Sequence, residues 1–230
     1  MLVVSNIDLI TTTPSMKPSA FFKSSIKDFT LNLNNDYRYL KTGYYVSMHA
    51  EVLGNTVIPT SRSIIDVNRT PILLLEATKA NIPTNHYLVT SSVKQIMSEI
   101  DFPIVIFAVN PFSFDGYKTA NNKSALYRAV KSLGMNYKFA VCAQPLRGKM
   151  ISFKSIFGKC QQSERLGEIA RKVYEVFRVP ICKLHVQLIE EKAYLCGLQP
   201  LKKEELLPAD LQLISDEVAC LSLKGDHLVG

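Results

Sequence analysis

The chain has 230 residues, 47% of them hydrophobic and 20% charged, with a formal net charge of +7. This composition excludes a disordered, collagenous or disulfide-stapled chain and suffices for one large domain or two smaller lobes. The longest apolar runs, such as 104–109, are too short to cross a bilayer, so no membrane partner is expected.

Leu2 to Val4 reads as a first strand, and the N-terminus lacks the charged leader and small-residue cleavage site of a signal peptide. Residues 11–20 form a loop, Phe21 to Lys27 a short helix, and Phe29 to Leu33 a strand. The stretch 36–60 is the element around which the chain is organised. Gly43 opens a helix, Gly54 sits where a left-handed cap belongs, and Thr56, Val57 and Ile58 form a strand closed by Pro59. Residues 29–58 are therefore a β-loop-α-β unit, whose right-handed crossover places the loop 36–45 at the carboxyl end of its first strand.

Ser61 to Val67 is a helical turn. Thr70 and Pro71 start a helix running to about Ala80, with Thr70 as its cap. Next come a strand at His86 to Val89, a helix from Ser91 to Ile100 and a doubly buried strand at 104–109. Residues 110–121 are a polar and aromatic loop, 122–133 a helix, and Tyr137 to Ala143 a strand. From 148 the pattern becomes strand, helix and hairpin. Ser163 caps the helix 163–177, and Cys182, Leu184, Val186 and Leu188 alternate with Lys183, His185 and Gln187 as a half-exposed strand. Pro208 to Leu221 is a closing helix, and 222–230 a frayed tail. The fold class is α/β, a mixed sheet flanked by helices, with a β-α-β start and a second β/α lobe. Its portions are 1–69, 70–146 and 147–230, the last packing with the first.

Residues 1–120 carry ten basic and nine acidic groups, 121–183 thirteen and three, and 184–230 four and eight. Such asymmetry marks either a solvated face or a polyanion surface. The cations are spread over several elements without the interleaved aromatics of single-strand binders, so nucleic acid is not the expected partner. Five cysteines at 142, 160, 182, 196 and 220 sit in apolar patterns without close pairs. They are expected to be buried thiols in a reducing, cytoplasmic setting, with no zinc site. The histidines at 49, 86, 185 and 227 have no metal-ligand spacing, and no metal site is expected. There is no P-loop, G-x-S-x-G, H-E-x-x-H or G-x-G-x-x-G pattern.

The best candidate site is Arg38 with Tyr39, Tyr44 and Tyr45. A guanidinium beside phenols at a helix N-terminus can hold a carboxylate or phosphate. Equally, the tyrosines can pack the loop while Arg38 pairs with Asp36 or Glu51. Lys154, Lys159 or Arg165 could face the same anion, and Lys159 is the one retained as a ligand-binding candidate.

Three blocks carry a family resemblance: Tyr37-Arg38-Tyr39 with Gly43-Tyr44-Tyr45-Val46-Ser47, Ala50-Glu51-Val52-Leu53-Gly54 and Val57-Ile58-Pro59; Ile156 to Cys160 with Phe177 to Pro180; and Leu198 to Leu201. Together they resemble the RimK-like ATP-grasp N-terminal domain, which usually precedes a peptide-bond-forming ATP-grasp ligase. Residues 70–146 also resemble an ATP-grasp small lobe. That resemblance implies a phosphate-directed lysine on the strand 102–109, where Phe107 and Ala108 stand. It implies a glycine-rich phosphate loop, where Gly116 is the only glycine, beside Asp115. It implies a magnesium-binding carboxylate-x-Asn pair, where Cys196-Gly197-Leu198-Gln199-Pro200 stands. These departures argue against ATP chemistry. The resemblance then implies a non-catalytic module that recognises a peptide or amino-acid substrate, or an ATP-grasp ligase, with no cofactor of its own. The alternatives are a compact or degenerate ATP-dependent carboxylate–amine ligase, which would use ATP and magnesium, and a polyanion binder.

Overall fold

The computed structural model describes residues 1–110 and 116–225. Its secondary structure is mixed α/β, with one parallel and two antiparallel sheets flanked by helices. The first sheet is parallel and contains β1 (Leu2–Ser5), β2 (Ser15–Met16), β3 (Thr30–Leu33) and β4 (Val57–Ile58), in the order β2-β1-β3-β4. Parallel strands are covered on both faces. Leu2 and Val4 pack with Phe21 of α1 (Pro18–Phe21) and with Val46 and Ala50 of α2 (Thr42–Val52). Val3, Leu31 and Leu33 pack on the other side with Ile156, Ile181, Ile214 and Val218.

The β-α-β unit forms as its local signals dictate. Gly54 adopts φ +81° after α2. The Asn55 amide reaches the Ala50 carbonyl at 2.9 Å and the Gly54 amide the Glu51 carbonyl at 2.9 Å, a Schellman closure of the helix end. The short helix expected at Phe21 to Lys27 lies earlier, over Pro18–Phe21, because Pro18 fits a first helical position and the chain turns at Ser24.

Two helices come next, α3 (Ser61–Val67) and α4 (Thr70–Lys79). Arg69 rather than Thr70 holds the cap position of α4, so Thr70 and Pro71 occupy its first two helical sites. The second sheet runs β5 (Leu88–Thr90), β8 (Val141–Pro145), β6 (Ile104–Ala108) and β7 (Tyr117–Ala120), all antiparallel. One face of it packs on α5 (Val93–Glu99) and α6 (Lys123–Leu133) through Ile96, Ile104, Ile106, Leu126 and Val130. The expected loop 110–121 contains β7, and its centre, 111–115, lies outside the described residues. The strand expected from Tyr137 starts later, at Val141, because Met135, Asn136 and Tyr137 all take left-handed backbone angles.

The third sheet, β9 (Lys149–Ile156), β10 (Ile181–Ile189) and β11 (Lys192–Gln199), is antiparallel in the order β11-β10-β9. The helix α7 (Glu164–Phe177) is capped by Ser163, whose hydroxyl accepts from the Leu166 amide. A large core joins Leu73, Leu74 and Ala77 of α4, Ile169 and Val173 of α7, Leu184 and Val186 of β10, and Val105 and Phe107 of β6. Both faces of β10 are therefore covered. Half-exposure was expected there, but His185 is 1% exposed and Gln187 is fully buried. The closing helix α8 is Pro208–Gly225, and residues 226–230 of the expected tail lie outside the described residues. Among the described residues no helix is long and apolar enough to cross a membrane.

Candidate functional site

In the order β2-β1-β3-β4 the chain moves to one side of β1 and then to the other. The carboxyl ends of β1 and β3 therefore flank the switch point where open parallel sheets hold ligands. Polar side chains line that end. The Ser5 hydroxyl donates to the Leu33 carbonyl at 2.9 Å, and Asn6 Nδ2 donates to Asn35 Oδ1 at 2.6 Å. Asn35 Nδ2 in turn donates to the Leu201 carbonyl at 3.2 Å. Beside it a cavity of ≈ 350 Å³ is lined by Ser5, Asp8, Ser15 and Lys17 among others. Hydrogen bonds from Lys17 and Lys203 hold the Asp8 carboxyl below its usual range.

A buried network fixes the loop that leaves β3. Asn32 Nδ2 donates to the Gly43 carbonyl at 2.6 Å and to Ser47 Oγ at 2.8 Å, and Ser47 Oγ donates to the Pro59 carbonyl at 2.6 Å. The Tyr37 hydroxyl donates to the Asn32 carbonyl at 2.8 Å, and burial pushes that phenol well above its ordinary value. Gly43 has no room for a side chain: a Cβ there would stand 2.6 Å from the Asp36 carbonyl and 3.0 Å from Tyr37 Cδ1.

On this base the structure brings together three of the sequence candidates. Tyr39 and Tyr44 meet edge-on with centroids 5.1 Å apart, and Tyr44 and Tyr45 at 5.7 Å. Tyr44 is buried, whereas Tyr39 and Tyr45 present their rings to solvent. Arg38 takes the pairing that the sequence left open. Its Nη2 lies 2.6 Å from Asp36 Oδ2, and its Nε donates to Asp36 Oδ1 at 3.0 Å. Burial works to raise the Asp36 carboxyl, but the Arg38 hydrogen bonds leave it below its ordinary value. Lys159 lies elsewhere, paired with Glu217 of α8, while Lys154 pairs with Asp210 at 2.5 Å. The result is an aromatic step with a neutralised arginine, suited to stacking and hydrogen bonding and less to capture of a free anion.

A second cluster escaped sequence reading. The antiparallel sheets meet along a seam of polar side chains. Gln187 Nε2 donates to the Pro145 carbonyl at 2.9 Å and Gln144 Nε2 to the Cys196 carbonyl at 2.8 Å. His185 is bound at both ring nitrogens, Nδ1 to Ser152 Oγ at 2.7 Å and Nε2 to Gln199 Oε1 at 2.8 Å. The Gln199 oxygen only accepts, which assigns the proton to Nε2 and leaves Nδ1 to accept from Ser152. Burial lowers the imidazole to about 4, against the Gln199 bond, which favours its charged form. Tyr117 and Phe107 stand over it, with centroids at 5.0 and 6.2 Å. Phe107 also fills the space above Gly197, the residue paired with His185 across β10 and β11. The available signal was the polar pair His185 and Gln187 at i and i+2 within an otherwise apolar strand.

The profile of the RimK-like ATP-grasp N-terminal domain matches residues 20–217. The chain belongs to this family. Its fold is that of ATP-grasp proteins. The D-alanine–D-alanine ligase of Bacillus anthracis, solved with ATP, superposes at TM-score 0.63 and 13% identity over 98% of this chain and 99% of that one. A RimK domain ATP-grasp protein from Sphaerobacter thermophilus superposes at 0.65 and 12% identity, over 94% and 98%. The D-alanine–D-alanine ligase of Helicobacter pylori reaches 0.61 and 17%, over 83% and 69%. No curated protein matches the sequence.

The two antiparallel sheets are tested directly for nucleotide and magnesium by the residues between them. Phe107 of β6 packs on Gly197 of β11, and Gln199 lies two residues further along that strand. A Cβ on Gly116 would lie 1.4 Å from Gln199 Nε2, so Gln199 and the strand opposite are in close contact. Among the described residues no three His, Cys, Asp or Glu side chains gather as metal ligands. These residues do not fit a metal-bound triphosphate.

Proposed function

We propose that this family member is a recognition module of an ATP-grasp amide-bond-forming system, serving peptide biosynthesis in the cytoplasm without performing a nucleotide-dependent step itself. One observation carries the reading: the ring of Phe107 packs on Gly197 between the two antiparallel sheets, in the stretches where the family resemblance implies a lysine and a carboxylate. Admitting a metal triphosphate would require opening a packed seam and setting buried charge against neutral rings, which costs several kcal/mol.

Recognition falls to the switch-point end of the parallel sheet. Tyr39 and Tyr45 offer exposed ring surface over the buried Tyr44, with Arg38 and Asp36 beside them as a hydrogen-bonding pair. Such a surface fits a peptide or amino-acid substrate, or the face of a separate ligase, by packing and directional hydrogen bonds.

The test is co-purification of this chain with an ATP-grasp ligase from its own source, followed by reconstitution of the two. Complex formation by size-exclusion chromatography with light scattering is expected, weakened at least tenfold by Tyr45→Ala and Arg38→Ala together. All ATP consumption should reside in the ligase. ATP-dependent amide formation by this chain alone would overturn the reading.

A further inference from the structure

The basic excess of 121–183 does not stay spread once the chain folds. Lys154, Lys159, Arg165 and Lys183 pair with Asp210, Glu217, Glu191 and Glu205, all from the acidic segment 184–230. Arg171 and Lys172 pair with Glu175 and Glu168 within α7. Part of the remaining positive charge lies on α6 and the turn after it, in a stretch with no acidic residue between Asp115 and Glu164. Among the described residues, Arg128, Lys131 and Lys138 form no ion pair.

The same region carries exposed aromatic rings. α6 buries Leu126, Ala129, Val130 and Leu133 and leaves Tyr127, Arg128 and Lys131 in water. The left-handed residues 135–137 fold the chain back on the helix, so the Tyr137 hydroxyl donates to the Tyr127 carbonyl at 3.4 Å. The Phe139 amide meets the Gly134 carbonyl at 2.9 Å. Tyr127, Tyr137 and Phe139 are 37%, 40% and 39% exposed. Contrary to the expectation of cations without interleaved aromatics, Tyr127-Arg128 and Tyr137-Lys138-Phe139 set rings and cations side by side, and the turn brings the two groups together.

We propose that this face, formed by Tyr127, Arg128, Lys131, Tyr137, Lys138 and Phe139, binds single-stranded nucleic acid. Three rings beside three cations match a polymer that carries one π face and one negative charge per unit. A duplex offers the charge but hides the base faces. An acidic peptide offers charge without a stacking group for each ring. The site lies on the second sheet's helix layer, away from the tyrosine step of β3 and α2, so it stands or falls independently of the recognition role.

The experiment is fluorescence anisotropy of labelled ten-nucleotide oligo-U and oligo-dT with the full chain across a salt series. Single strands should bind more tightly than a duplex of equal length, with affinity falling steeply as salt rises. Lys131→Gln with Lys138→Gln should flatten the salt dependence. Tyr127→Ala and Phe139→Ala should each lower affinity on the order of tenfold. Tyr137→Phe keeps the ring, loses its hydrogen bond and should bind like the parent, with circular dichroism checking the fold of every variant. Failure to bind would overturn the proposal. So would equal binding to duplex, indifference to ring removal, or equal or tighter binding to an aspartate-rich peptide or to phosphatidylserine vesicles.

Discussion

The ring of Phe107 lies against the Cα of Gly197, so close that a Cβ there would stand 2.5 Å from Phe107 Cε1. Gly197→Ala must therefore displace a fully packed ring between two sheets. The expected cost is about 1–3 kcal/mol, read as a lower urea midpoint at unchanged slope. Phe107→Ala should cost about 3–5 kcal/mol through the cavity it leaves. A Gly197→Ala variant as stable as the parent would show that the two sheets do not close on each other as described.

Acid should destabilise the protein through His185. Its folded value lies near 4, below the ordinary 6.5, because burial disfavours the imidazolium. Between those values the unfolded chain binds a proton that the folded chain refuses, so stability falls as pH drops from about 6.5 toward 4. The loss from this group approaches roughly 3 kcal/mol at its limit. Denaturant unfolding at stepped pH measures it, and His185→Gln should flatten that part of the curve. An unchanged slope in the variant would assign the acid sensitivity elsewhere.

Thiol labelling should divide the five cysteines. Burial pushes Cys142, Cys182 and Cys196 up to about 12, so little thiolate exists at neutral pH. Cys160 is partly exposed and Cys220 exposed. Native labelling with a chromogenic disulfide should give two fast equivalents, and three more only after unfolding. Fast labelling of all five would contradict the packed seam and core.

The tyrosine step depends on the network beneath it. Ser47→Ala removes the hydroxyl that joins Asn32 to the Pro59 carbonyl and should cost about 1–3 kcal/mol. Gly43→Ala meets the Asp36 carbonyl directly and should move the loop bearing Arg38 and Tyr39. Backbone amide shifts by NMR concentrated at 36–45 would confirm the coupling, and an undisturbed loop would refute it.

Local signals made much of this architecture legible. Gly54 and Pro59 bounded the β-α-β unit, and Ser163 marked the start of α7. What escaped notice was long-range. β7 is four residues of mixed polarity whose only claim to be a strand is its pairing with β6. The left-handed run 135–137 holds no glycine to announce it. His185 looked solvent-facing because its strand alternates, and only the second sheet closing over it buries that side. In the candidate site, the tyrosines clustered because they share one loop and helix. Lys159 went to α8, whose Glu217 is distant in sequence.

Thermal unfolding with increasing magnesium-ATP tests the central claim most directly. A nucleotide at about a hundred times its dissociation constant adds about 2.7 kcal/mol, which for a chain of this size raises Tm by roughly 5–11 °C. The packed seam of Phe107, Tyr117, His185 and Gln199 should leave Tm unchanged at millimolar magnesium-ATP. A saturable rise of that size, abolished by a substitution between the two antiparallel sheets, would contradict it.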